Sequence, residues 1–321
     1  MHIAMLALDG TFDMGLSIPM DAFAIANRIS TRAMDGAVRF EVSLIGMQKK
    51  MRTARGFTIP VQPITPDLKP DWVFVPALSE ALPEQLVPAL ARPDVRRAAG
   101  QLQDLHARGA KIAASCVGTF LAAESGLLDE REATTTWWLS PLFRQRYPRV
   151  RLDESRMLIP TDVGVTAGAA MGHLDLALWL IRKASPELAT LVSRYLLADI
   201  RSSQAAYIIP NHLAQADPLV ARFELWAREH LQAGFSLTAA AAALAVSPRS
   251  LQRKCQAVLG KSPLAYFQDL RVERAKALIH GSGLDLDAIA AQVGYVDGAT
   301  LRTLLRQRLG RGVRELRADL L

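Results

Sequence analysis

AAAAALAVSPRSLQRKCQAVL, residues 239–259, and AIAAQVGYVDGATLRTLLRQRL, residues 288–309, follow one plan: an Ala-rich segment, a break, and a second segment with an apolar and a basic stripe. In the first, Ser247 is placed to cap the second helix, and Pro248 takes its first position, where a missing N–H costs nothing. Leu251, Cys255, Val258 and Leu259 then point inward, which leaves Arg249, Gln252 and Arg253 on one outer face with Lys254 beside them. In the second, Gly294 and Tyr295 form the break and Asp297 is the cap. Leu301, Leu304, Leu305 and Leu309 turn inward, and Thr300, Arg302, Thr303 and Arg306 turn outward. A helix of this shape enters a duplex major groove, where Arg pairs bidentately with guanine and Gln with adenine. Base contacts are therefore expected from Arg249, Gln252, Arg253, Arg302 and Thr303, and phosphate contacts from Lys254 and Arg306. A solvated basic helix face is the plainer alternative; the capped turn ahead of each face favours the duplex reading.

Between the two repeats, residues 263–280 form one long helical pattern with Leu264, Phe267, Leu270, Ala275, Leu278 and Ile279 inward. Such a connector holds two recognition helices at a fixed separation, and successive major grooves on one face lie about 34 Å apart. Charge agrees with this placement. From Pro218 onward there are 15 Lys and Arg against 9 Asp and Glu, so six of the chain's seven net positive charges sit in its last third.

A chain of 321 residues with half of them hydrophobic is long enough for two cores. Up to about residue 184, short apolar runs at 2–8, 40–45, 72–75, 110–114 and 163–167 alternate with helical patterns at 21–29, 95–107, 118–125 and 174–182. That alternation implies an α/β sandwich around a mostly parallel sheet. Residues 186–197 read as a further helix capped by Ser185. The boundaries expected are a first domain over 1–198, a linker over 199–217 and an all-α domain over 218–321. No apolar run reaches the roughly 20 residues of a membrane span, and the N-terminus lacks a signal-peptide pattern, so a cytoplasmic protein is expected. Cys116 and Cys255 fall in different domains and are expected to be reduced thiols.

Four runs in order, Ser247–Arg253, Gly260–Tyr266, Leu270–Ala275 and Ile289–Tyr295, closely resemble the S-P-R-x-L-x-R, G-x-S-P-x-x-Y, L-R-x-x-R-A and I-A-x-x-V-G-Y motifs of AraC/XylS regulators. The family's closing G-x-S/T-P-x-x-Y/F is replaced here by Gly310, Arg311, Gly312, Val313, Arg314, Glu315 and Leu316. In the first domain, KIAASCVGTFLAAESGLLDEREATTTWW (residues 111–138), with 19–28 and 167–181, resembles the PfpI-type domain, a class I glutamine-amidotransferase-like, flavodoxin-like sandwich. The two together resemble the GlxA family of regulators.

Cys116 lies where a strand turns sharply into a helix, and the helix N-terminus is expected to lower its pKa. Catalytic relatives also need a base and an acid. Where they carry His in A-T-T-H-W, this chain has Thr136, and where they carry Asp four residues before the first helix's Pro, it has Gly15 before Pro19, with Asp13 two positions away. The chain is therefore read as a non-enzyme in which Cys116, Val117, Thr136 and Trp137 contribute to a ligand pocket. A small residue forced by the tight turn is the structural alternative for Cys116. The implied partners are double-stranded DNA, a small-molecule effector and a second copy of the chain, with RNA polymerase a further candidate. No cofactor and no metal site are expected, and His173 is read as structural. The competing function is a cysteine-dependent hydrolase or amidase with DNA binding secondary.

Overall fold

The computed structural model describes residues 1–34, 36–199, 201–309 and 312–318, and the chain divides into two compact units, Met1–Gln204 and Ala205–Leu321. In the first unit the elements run β1 (His2–Leu6), α1 (Asp13–Ala33), β2 (Glu41–Gly46), β3 (Lys50–Arg52), β4 (Thr58–Pro60), β5 (Gln62–Pro63) and β6 (Trp72–Val75). They continue through α2 (Pro83–Leu90), α3 (Pro93–Ala107), β7 (Lys111–Ser115), α4 (Gly118–Glu124), β8 (Glu132–Ala133) and α5 (Ser140–Arg146). The unit closes with β9 (Arg151–Leu152), β10 (Leu158–Pro160), β11 (Gly164–Ala167), α6 (Gly172–Ala184) and α7 (Pro186–Tyr195).

The main sheet has the order β10-β11-β7-β6-β1-β2-β5. Its pairings are parallel, with Ile3 opposite Val42 and Trp72 and with Val73 opposite Ile112, except that β10 runs antiparallel to β11. Side chains alternate across the strands, so Ala4 and Leu6 join the core under α2 to α5 with Leu86, Leu102 and Phe120. Ile3 and Met5 join the opposite core with Phe23, Leu176 and Leu188 of α1, α6 and α7. The result is the expected three-layer α/β sandwich.

The five strands that the apolar runs implied are β1, β2, β6, β7 and β11. The pattern missed β3, β4, β5, β8, β9 and β10, which are two or three residues long and largely exposed, too short for alternation to register. Helix α1 is longer than the expected 21–29. It runs through Pro19, where a break would be read, because the buried Ala22, Phe23 and Ala26 hold the segment on the sheet.

The second unit is all helical: α8 (Pro210–Ala214), α9 (Pro218–Glu229), α10 (Leu237–Ala243), α11 (Pro248–Leu259), α12 (Pro263–Gly281), α13 (Leu286–Gln292), α14 (Gly298–Leu309) and α15 (Val313–Ala318). The expected linker over 199–217 needs correction. Gln204 is buried in the first unit, where it bonds Ala169 and Thr135, and residues 205–207 and 210–214 are helical parts of the second. Polar and proline residues hid these contacts, since each is made through one or two side chains. Pro210, for example, accepts a hydrogen bond from the Tyr266 hydroxyl at 3.0 Å through its carbonyl oxygen.

Helix α12 serves two cores. Tyr266 and Phe267 pack on Phe223 and Phe235, whereas Val272, Ala275 and Ile279 pack with Ile289, Val293, Leu301 and Leu305. Leu264, expected inward, is 48% exposed, because it lies on the side of the first turn away from both cores. Leu316 of α15 is buried in the second core; Gly310 and Arg311 of the divergent closing motif lie outside the described residues.

Candidate nucleic-acid interface and strand-end turn

The two repeats fold alike. Ser236 caps α10 by accepting from the Ala239 amide, and Ser247 caps α11 by accepting from Ser250 N at 3.1 Å. Asp285 caps α13 through Ala288 N, and Asp297 accepts from Thr300 N at 2.7 Å at the start of α14. The Thr300 amide holds the Asp297 carboxyl below its ordinary range, so the cap is ionised and complements the helix dipole. Both breaks need one left-handed residue: Gly294 at φ 81° in the second and Ala245 at φ 55° in the first. From that residue to the cap, the second break is one residue longer, and Val296 in it is 99% exposed.

Capping and burial fix the orientation of both recognition helices. Leu251, Cys255 and Leu259 are buried on α11, and Leu301 and Leu305 on α14. Arg249, Gln252 and Arg253 are exposed together on α11, and Gln256 extends their face by one turn; the spacing of 249, 252, 253 and 256 could have revealed it. Arg302, Thr303 and Arg306 are exposed together on α14. Among the described residues, the side chains of Arg249, Gln252, Arg253, Arg302 and Arg306 form no hydrogen bond or ion pair, so their donors are available. Thr303 Oγ1 donates to Ala299 O at 3.0 Å, which leaves its lone pairs and methyl outward. Lys254 stands apart from the rest, with its Nζ 2.8 Å from Asp217 Oδ2, tying α11 to the cap of α9. A partly exposed pair of this kind is worth below about 1 kcal/mol, so a phosphate can compete for the lysine.

Sequence reasoning missed Arg271. It is buried on α12, donates through Nε and Nη2 to Leu231 O at 3.0 and 2.7 Å, and lies 4.8 Å from the Phe267 ring and 4.9 Å from the Tyr295 ring. It fastens the connector both to the loop after α9 and to the second break. A Cβ at Gly294 would collide with Arg271 and with the Leu231 carbonyl, so only glycine fits there. Arg308 adds a second brace, donating to Asp269 and Gln268 of α12.

In the first unit, β7 ends at Ser115 and the chain turns at Cys116 with φ 56° before α4 begins at Gly118. A Cβ at Gly118 would collide with the carbonyls of Val75 and Pro76, which is why the turn can be so tight. The structure brings Cys116, Val117 and Thr136 together and buries all three. Thr135 Oγ1 donates to Cys116 O at 2.7 Å. The Thr136 hydroxyl lies close enough to favour the Cys116 thiolate, yet meets no well-formed hydrogen-bond partner among the described residues. Trp137 is half-buried, edge-on to Trp138.

The expected lowering of the Cys116 pKa is corrected: burial pushes the thiol up to about 11, outweighing the Val117 amide and the Thr136 hydroxyl. The position of the missing acid is also accounted for. A Cβ at Gly15 would meet His173 Nε2 at 3.0 Å and Pro76 Cβ at 3.2 Å, so the space belongs to His173. That imidazole accepts from Ala77 N at 3.1 Å and donates from Nδ1 to Ala170 O at 2.7 Å, and burial lowers its pKa to about 4. It is a neutral structural bridge between the loops after β6 and β11.

Comparison with known proteins matches the family described as "Helix-turn-helix domain" to residues 240–319, across both repeats. The HTH-type transcriptional regulator ArgR of Pseudomonas aeruginosa is 29% identical over 218 residues, 67% of this chain and 66% of the relative. The HTH-type transcriptional regulator GlxA of Rhizobium meliloti is 27% identical over 203 residues, 60% of this chain and 61% of the relative. The chain thus spans about two thirds or less of the length of these relatives. Among solved structures, an AraC family transcriptional regulator from Pseudomonas putida superposes with a TM-score of 0.50 at 17% identity, covering 61% of this chain and 98% of that one. This likeness concerns the fold of the parallel-sheet unit.

Proposed function

We propose that this chain, a relative of GlxA and ArgR with an AraC-type helix-turn-helix domain behind a PfpI-like sandwich, is a sequence-specific DNA-binding regulator of transcription. The observation that carries the reading is the pair of capped recognition helices, α11 and α14, each presenting exposed donors without protein partners, with α14 braced to α12 by Arg308 and α11 tied to the cap of α9 by Lys254. Arg249, Gln252, Arg253, Arg302 and Thr303 read base edges, and Lys254 and Arg306 hold phosphates. One protomer addresses two adjacent major-groove segments, and a homodimer in the cytoplasm addresses two such sites. RNA polymerase is the partner through which a bound regulator acts on transcription.

The sandwich is the sensor for a small-molecule effector. Hydrolysis is not favoured: the Cys116 thiol is buried and protonated at neutral pH, Thr136 stands at the position of the base, and His173 fills the space of the acid. The test is selection of genomic fragments by the purified full chain, followed by footprinting. Enriched fragments should share a motif protected in two segments one helical turn apart, about 10 base pairs. Recovery of unrelated sequences at moderate salt would remove the assignment.

A further inference from the structure

Aligned on their caps, Ser247 and Asp297, the two recognition helices match residue for residue. The inward positions agree: Leu251 and Cys255 are buried on α11, and Leu301 and Leu305 are their counterparts on α14. At 3.6 residues per turn, the positions two before and two after the first of each pair lie opposite the buried stripe, at the centre of the outward face. On α11 these are Arg249 and Arg253, and on α14 they are Ala299 and Thr303, all four exposed. One framework thus carries guanidinium groups at the centre of one helix and short, methyl-bearing side chains at the centre of the other.

The hydroxyl protons on that second face are already used. Thr303 Oγ1 donates to Ala299 O at 3.0 Å, and the Thr300 hydroxyl donates to the Asp297 carboxylate, so neither threonine has a proton left for a base. Ahead of them stands Val296, 99% exposed, whereas its counterpart Val246 in the first repeat is half-buried. Val296 is held rather than loose. Tyr295 N donates to Ala290 O at 2.9 Å, the Tyr295 ring lies 4.9 Å from the Arg271 guanidinium, and Gly298 N donates to Asp287 Oδ1 at 2.6 Å. The turn is therefore fastened on both sides of the valine, and its β-branched side chain adds one stiff torsion.

The N-terminal part of a recognition helix is the part that meets base edges. In the major groove the apolar group on offer is the thymine C5-methyl, and alanine and threonine methyls are suited to contact it. Guanine and adenine under the same face would have their N7 acceptors desolvated without a donor. The α11 face has the opposite character, since Arg249, Gln252 and Arg253 all carry donors.

We infer that the two recognition helices read different chemistry: α11 reads purine acceptors by hydrogen bonding, and the leading turn of α14 reads thymine C5-methyls through Val296, Ala299 and Thr303. Each protomer's site is then asymmetric, with methyl recognition confined to the segment under α14. The inference deepens the regulator reading and rests on it.

The test is binding of the full chain to its selected operator with thymines replaced one at a time by uracil, which removes the methyl and keeps every hydrogen-bonding group. The base pair whose preference relaxes in Arg253→Ala marks the segment under α11. Uracil at two or three positions of the other segment should weaken binding about three- to fivefold each, the worth of one buried methyl, and by less than about twofold under α11. Val296→Ser should erase the penalty at one position and leave the others. Thr303→Ser should erase another, which Thr303→Val should retain, because valine keeps methyls without the hydroxyl. Both sites are exposed, so the Tm of these variants should stay within about 2 °C of the native chain.

The inference is overturned if uracil is tolerated throughout the segment under α14, or if Thr303→Val behaves as Thr303→Ser. Penalties that persist unchanged in the Val296 and Thr303 variants would also overturn it, by assigning the methyl effect to duplex stiffness. In each of these cases a selected operator still exists and the regulator reading stands. Failure to select any operator removes that reading and this inference with it.

Discussion

Cys116 shows how burial can override a local electrostatic expectation. Its position beside a helix start favours a thiolate, but near-complete desolvation dominates, and the buried Cys255 on α11 is likewise pushed up to about 12. Both thiols should therefore resist a thiol-specific disulfide reagent at pH 8 and react only after unfolding; one fast equivalent per native chain would contradict this. His173 gives a pH signature. Its folded pKa of about 4 lies below the ordinary 6.5, so the unfolded chain takes up the proton first as pH falls. The contribution is present in full above about pH 6.5 and is lost toward pH 4, with about 2 kcal/mol gone by pH 5. Urea unfolding at pH 7.5 and 5 should show that loss in the native sequence and much less of it in His173→Gln; parallel losses would rule the origin out. On the recognition helix, Arg253→Ala should weaken specific binding by roughly 1–3 kcal/mol and relax preference at one base pair. An equal loss on every sequence in a binding titration would reduce Arg253 to a phosphate contact.

At the scale of elements, the two helix-turn-helix repeats differ in how they make the same turn. The second uses Gly294, where a side chain would collide with its surroundings. The first uses Ala245, which is exposed but held at φ 55°, a conformation that disfavours an L side chain by roughly 1–2 kcal/mol. Ala245→Gly should relieve that strain and, after the greater chain entropy of glycine, stabilise the second unit by about 1 kcal/mol. The check is the denaturation midpoint of that unit within the full chain, and an unchanged or lowered midpoint would show that the strain is absent. The caps at Ser247 and Asp297 were legible because a cap is a local contact between neighbours in sequence. The Ala245 turn was not, because its sequence contains no glycine to mark it.

For the whole molecule, the second unit is organised around α12, which contributes to two cores and carries Arg271 and Asp269 as braces. That arrangement explains why α12 lacks a single apolar stripe: it is covered on several sides. Phosphate contacts on such a unit add up through counterion release. Arg306→Ala should lower the slope of log affinity against log salt by about 1 while leaving sequence preference intact. A changed preference at constant slope would instead assign Arg306 to a base edge. In the first unit three loops meet at one sheet end, and the set of charged residues gathered there could not be assembled by reading along the chain.

What the sequence determined by itself is whatever rests on short-range spacing: the main parallel strands, the paired helix-turn-helix repeats, their caps and the outward basic faces. Periodicity and capping are properties of residues within about one or two turns of each other, so they survive without a structure. Tertiary structure alone decided the state of the Cys116 thiol, the partner of Lys254, the burial of Arg271 and the cleft between the β3–β4 hairpin and the ends of β1 and β6. Each depends on desolvation or on contacts between distant segments, and neither is encoded in any local window of the chain.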